Sequence, residues 1–164
     1  MIQRQARRVM SGDAVSTSAG GTMLVIRANN NDGSVDNSGY FRLYGHNGNI
    51  WRVVRQDSQM GIRHSNSGSS VSMSANGTML AIGATNNDGN GVNSGHVRVF
   101  TLNSTTQWEQ VGQDIDGEAQ NNKSGDSVSM SADGTMLAIG ATNNDGNGVN
   151  SGHVRVYQRQ GTTW

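Results

Sequence analysis

Short runs of apolar residues alternate along this chain with stretches of Gly, Asn, Ser and Thr. In SVSMSA, Ser70 to Ala75, apolar and small polar residues take turns, the period-2 pattern of a half-buried strand. TMLAIGAT, Thr78 to Thr85, is apolar at nearly every position, which predicts a strand covered on both faces. In HVRVF, His96 to Phe100, Val97 and Val99 share one face. WEQVGQDI, Trp108 to Ile115, reads as a fourth strand. No stretch has helical periodicity. Asn76-Gly77 separates the first two strands and predicts a type I′ hairpin turn, in which both central residues take φ > 0. Asp133-Gly134 and Gly20-Gly21 stand at the equivalent places.

The same four-strand pattern occurs three times. Val15, Val71 and Val128 are equivalent, as are Trp51, Trp108 and Trp164, so the period is 56 to 57 residues. Ser70–Val99 and Ser127–Val156 agree at 29 of 30 positions, and the first copy matches the second at 18 of 30. A repeat of this length made of strands is expected to stack its units, because one unit cannot cover both faces of its own sheet. The expected fold is all-β: three four-stranded antiparallel β-propeller blades. The expected divisions are 1–11 as part of an outer strand, 12–67 as blade 1, 68–124 as blade 2 and 125–164 as blade 3, short of its last strand. In repeat phase, residues 2–6 align with the strand that blade 3 lacks, and are expected to close onto it. Propellers typically have four to eight blades. The expected partner is therefore a second copy, giving a six-bladed ring, or the remaining blades of a longer chain; an open head-to-tail fibre is the third outcome.

Composition narrows the chemistry. The chain has 23 Gly and no Pro, so its turns must rest on Gly, Asn and Asp. It has no Cys, which removes disulfides and thiolate chemistry. No run of 18 apolar residues offers a membrane span. The opening MIQRQARRVMSG has no apolar core of the signal-peptide kind. The net charge is zero but uneven: residues 1–65 hold eight Arg against four Asp, and the rest holds four cations against eight acids. This suits a basic end meeting an acidic end. No basic patch interleaved with aromatics marks nucleic-acid binding.

The segment SGDSVSMSADGTMLAIGATNNDGNGVNSGHVRVY, Ser124 to Tyr157, and its copies resemble FG-GAP repeats, the blades of the integrin α-subunit propeller. Gly125-Asp126-Ser127-Val128-Ser129 is similar to the "FG-x-S-V" opening without its Phe. Ile139-Gly140-Ala141-Thr142 is similar to the "GAP" segment with Thr for Pro, and Ser151 to Tyr157 to the "G-x-V-Y-V-Y" strand. The resemblance implies a propeller scaffold for binding or adhesion at a cell surface or outside the cell. The family's calcium loop does not carry over, because the tight turns Ala75-Asn76-Gly77 and Ala132-Asp133-Gly134 stand in its place.

Candidate sites are few. The loop NNDGNGVNS places oxygen side chains at alternate positions around glycine, as calcium-binding turns do. Asn86, Asp88, Asn90 and Ser94, with the Val92 carbonyl, would be ligands. So would Asn143, Asp145, Asn147 and Ser151 with Val149, and in the first copy Asn30, Asp32, Ser34, Asp36 and Ser38. The competing reading is a turn whose Asn and Asp bond their own backbone. Trp51, Trp108 and Trp164, one per blade, form either a sugar-stacking set or a structural set packed between blades. His96 and His153 match Tyr40, which breaks a metal trio, while His46 and His64 have no evident partner. Asp114, Asp116 and Glu118 in DIDGE offer paired carboxylates of the glycosidase kind, but the cluster occurs once. No nucleophile elbow and no recurring Ser/His/Asp set is present. Sequons begin at Asn76, Asn103 and Asn122. The expected function is a non-enzymatic scaffold for binding, adhesion or self-assembly, without cofactor unless the loops hold Ca²⁺; the alternative is a lectin-like propeller using one Trp per blade.

Overall fold

A computed structural model describes residues 10–29, 40–57, 69–103 and 108–164. Among them there are twelve strands and no helix. The first sheet runs β1 (Met10–Thr17), β2 (Met23–Asn29), β3 (Tyr40–His46) and β4 (Trp51–Asp57), each antiparallel to the next. The second runs β5 (Ser70–Met73), β6 (Met79–Ala84), β7 (His96–Leu102) and β8 (Trp108–Gln110), with β9 (Ile115–Asp116) also paired to β7. The third is β10 (Ser124–Met130), β11 (Met136–Ala141) and β12 (His153–Gln158). Each sheet is one repeat and is called a blade below. The expected closure through residues 2–6 lies outside the described residues.

Two details depart from the sequence reading. The expected fourth strand is split into β8 and β9. Val111 turns inward, its N–H donating to the Val99 carbonyl at 2.8 Å. Gly112 then takes φ 75°, where a Cβ would stand 2.3 Å from the Thr162 carbonyl of the neighbouring blade. The Asn76-Gly77 hairpin is also not type I′, since only Gly77 has positive φ, at 74°. Gly77 N–H donates to Ser74 O, and Ser74 N–H to Met79 O. This is an i→i+3 turn followed by a left-handed glycine. Asn76 Oδ1 supports it by accepting from Thr78 N–H at 3.1 Å and from the Ser74 and Thr78 hydroxyls, each at 2.8 Å. Asp133 does the same for Ser131 and Thr135, and those bonds hold its carboxyl down at about 2.

The blades pack face to face and make two cores. Val25, Phe41 and Leu43 of blade 1 meet Val71, Met73, Leu80, Ile82, Phe100 and Trp108 of blade 2. Met79, Ala81, Val97, Val99 and Val111 on the other face of blade 2 meet Leu137 and Ile139 of blade 3, with Val128, Met130, Tyr157 and Trp164 around them. β6 is thus buried along its whole length, as its unbroken apolar run predicts. Backbone bonds stitch the blades near the inner turns. Ala19 N–H donates to Ala75 O and Ala75 N–H to Ala132 O, both at 2.8 Å. Met73 N–H donates to Ser16 Oγ at 3.1 Å, and Met130 N–H to Ser72 Oγ at 3.0 Å.

Candidate interaction surfaces

The loops after β6 and β11 fold on themselves in the same way. Asn87 Oδ1 accepts from Gly89 N–H at 2.8 Å, and Asp88 Oδ1 from Asn93 N–H at 2.8 Å. Ser94 Oγ accepts from Asn90 N–H and donates to the Asn87 carbonyl, both at 3.2 Å. In the third blade Asn144, Asp145 and Ser151 repeat these bonds with Gly146, Asn150 and Asn147. Asn93 and Asn150 take φ of 53° and 52°, which Asn tolerates better than most residues. Among the candidate ligands, Asp88, Ser94, Asp145 and Ser151 thus already accept backbone N–H groups of their own loops. The Asn90 amide points away from the loop and donates to the Gly117 and Glu118 carbonyls at 2.8 and 3.1 Å. Asn86 and Asn143 stand at the loop entrances. Among the described residues, no three His, Asp or Glu side chains are grouped to hold an ion. Val92 and Val149 are exposed at the loop tips. Asn30, Asp32, Ser34, Asp36 and Ser38 lie outside the described residues.

The three carboxylates of DIDGE do not meet at one point: Asp114 and Asp116 flank His96, 3.3 and 4.0 Å from its Nδ1, while Glu118 turns to blade 3. Arg98 grips Asp114 with two bonds, Nε to Oδ1 at 2.8 Å and Nη2 to Oδ2 at 2.7 Å, and Gln110 adds a third at 2.8 Å. Glu118 instead reaches blade 3, where Arg155 pairs with it and the Asn144 amide donates at 3.2 Å. His153 Nδ1 lies 3.7 Å from the same carboxylate. In blades 2 and 3 the third-strand Arg is thus matched by an acid, Arg98 by Asp114 beside β9 and Arg155 by Glu118 of the link between the two blades. Residues 16 positions apart in sequence, Arg98 and Asp114, meet because β7 and β9 run antiparallel. Spacing alone does not reveal that before the pairing register is known.

His96 sits beneath this pair, 3% exposed. Burial, and then the charge of Arg98, push its pKa down to about 4, against the pull of Asp114. Its Nδ1 is 3.3 Å from Asp114 Oδ2 but makes no hydrogen bond. The contact is therefore one between a neutral ring and a carboxylate already held by Arg98, not an ion pair. Burial and the neighbouring Asp114 raise the carboxyl of Asp116.

The tryptophans differ in setting. Trp108 is buried in the core between blades 1 and 2, and Trp164 is half-buried against the next core. Trp51 is 45% exposed on the open side of blade 1, its ring centroid 5.0 Å from that of His46. Arg27 stands in blade 1 where the other blades have Gly83 and Gly140. It is buried, and its Nη1 meets Asp13 Oδ2 on the adjacent strand at 2.5 Å. Desolvation lowers the guanidinium pKa, and Asp13 opposes it.

No family model and no curated protein matches this chain. Among solved structures, the WD40 repeats of RRP9 align with a TM-score of 0.50 at 16% identity, covering 89% of this chain and 42% of that one. The tricorn protease aligns with a TM-score of 0.45 at 11% identity, covering 87% of this chain and 12% of that one. The chain thus spans less than half the length of either. The WD40 likeness, with three serially packed antiparallel sheets, establishes a β-propeller type of fold.

Proposed function

We propose that this chain is a non-enzymatic propeller scaffold of the FG-GAP kind, which binds its target through the loops after the second strand of blades 2 and 3, at a cell surface or outside the cell. The observation that supports this best is the pair of identical loops. Asp88, Asn90 and Val92 recur as Asp145, Asn147 and Val149 in the same hydrogen-bonded conformation, with both valines exposed. A target that meets one loop can meet the second without new chemistry, and two linked contacts strengthen each other. The family resemblance supports the location and the adhesive role. A non-catalytic reading is supported by the ion pairs that Arg98 and Arg155 make with Asp114 and Glu118.

The test is a binding screen against extracellular proteins and glycans, followed by loop variants. Val149→Asp alone is expected to weaken a hit, and Val92→Asp with Val149→Asp to abolish it, with the melting temperature unchanged. A hit that survives the double variant contradicts the loop assignment. Turnover of a glycoside or ester that falls in Asp114→Asn or Asp116→Asn contradicts the scaffold reading itself. The lectin reading has its own support in the exposure of Trp51 beside His46. A glycan hit lost in Trp51→Ala, and kept in the loop double variant, favours it.

A further inference from the structure

Among the described residues, blade 2 is covered on both faces and blades 1 and 3 on one each. The two open faces are the two halves of a junction that the chain already makes twice. At each junction a methionine seats on the turn glycine of the next blade. A Cβ on Gly77 would stand 2.8 Å from Met23 Cγ, and one on Gly134 would stand 2.8 Å from Met79 Cγ. The equivalents left over are Met136, open on blade 3, and Gly21, which has no atom within 4 Å of its Cβ position. The valines follow the same rule. Val97 and Val99 are 0% and 1% exposed under blade 3, while their sequence-identical counterparts Val154 and Val156 are 66% and 64% exposed. On the opposite side Val71 packs into the core, and its counterpart Val15 is open.

Among the described residues, the polar bonds also have unfilled equivalents of matching sense. Ala75 N–H donates to Ala132 O, so by the repeat Ala132 N–H would donate to Ala19 O of another copy. Ser72 Oγ accepts from Met130 N–H, so Ser129 Oγ would accept from Thr17 N–H. Blade 1 holds five Arg against four Asp and blade 3 two Arg against three Asp, so net charge does not oppose their approach.

We propose that the open face of blade 3 takes blade 1 of a second copy, head to tail, and that two copies close a six-bladed ring through two such junctions. This goes beyond the loop-binding proposal and uses none of its residues. Two sets of three blades give a number within the usual range for propellers, and closure leaves neither end exposed.

The experiment is light scattering on a sizing column. Wild type is expected at twice the 17.4 kDa chain mass. Val156→Arg and Val15→Arg are each expected to run as monomers with a cooperative melt, because each places a charge on a face that is open in the single chain. Mixing the two variants should restore a dimer, since one of its junctions then carries neither substitution. The loop double variant should remain dimeric, so failure of loop binding and failure of the ring are separable. A monomeric wild type overturns the proposal. So does a larger open polymer, a dimer that survives both Arg substitutions, or a mixture of the two variants that stays monomeric.

Discussion

At the scale of single residues, the burial of His96 makes stability depend on pH. Its pKa falls from 6.5 to about 4 on folding. The unfolded chain therefore takes up a proton below pH 6.5 that the folded chain refuses until about pH 4, so stability falls as the pH drops through this window. Between pH 7 and pH 5 the loss from this group is about 2 kcal/mol. Urea melts at the two pH values should show it in wild type and largely lose it in His96→Gln; an equal loss in both would remove His96 as the cause. The sequence marks His96 as a strand-edge residue repeated at His153. It does not reveal the depth of burial, because that depends on Gly125 of the next blade crossing the His96 carbonyl. Arg27 is the converse case. The sequence places a charge in a doubly covered strand, and only the β1–β2 pairing shows Asp13 beside it.

At the scale of elements, periodicity was the reliable guide. The alternation in SVSM and the unbroken run in MLAIGA correspond to β5 and β6 with the expected burial, whereas in β7 His96 and Phe100 are buried along with Val97 and Val99. At the hairpin the glycine takes the expected positive φ but Asn76 does not. What periodicity missed was the break at Gly112, a backbone feature set by the neighbouring blade. The contact between Gly83 and Gly125 is of this kind. A Cβ on Gly83 would lie 2.1 Å from the Gly125 carbonyl oxygen, so an alanine must push blade 3 away. At Gly140 the nearest atom is Ser127 Oγ at 2.3 Å, the end of a side chain that can turn. Gly83→Ala is expected to cost about 3 kcal/mol or more, as overpacking against backbone does. Gly140→Ala, made in the monomeric Val156→Arg background, should cost clearly less in the same denaturant melts. Equal costs would mean that the blade 2–blade 3 contact is looser than described. The candidate loops were legible as Asn/Gly turns. Their side-chain bonds were not, because the same string of oxygens suits either an ion or the backbone.

At the scale of the whole molecule, repetition is what makes the fold possible, and the repeat length alone pointed to blades. Each blade offers one face to the blade before it and another to the blade after it, and burying each valine-sized side chain contributes about 1.5–3 kcal/mol. The near-identical second and third units provide an internal control, with the same residues in two different settings. The most direct test of serial blade packing is amide hydrogen exchange followed by NMR in the monomeric Val156→Arg variant. Val97 is expected to exchange far more slowly than Val154, and Leu80 more slowly than Leu137, since only blade 2 is covered on both sides. Equal protection at both members of each pair would contradict the packing order on which this account rests.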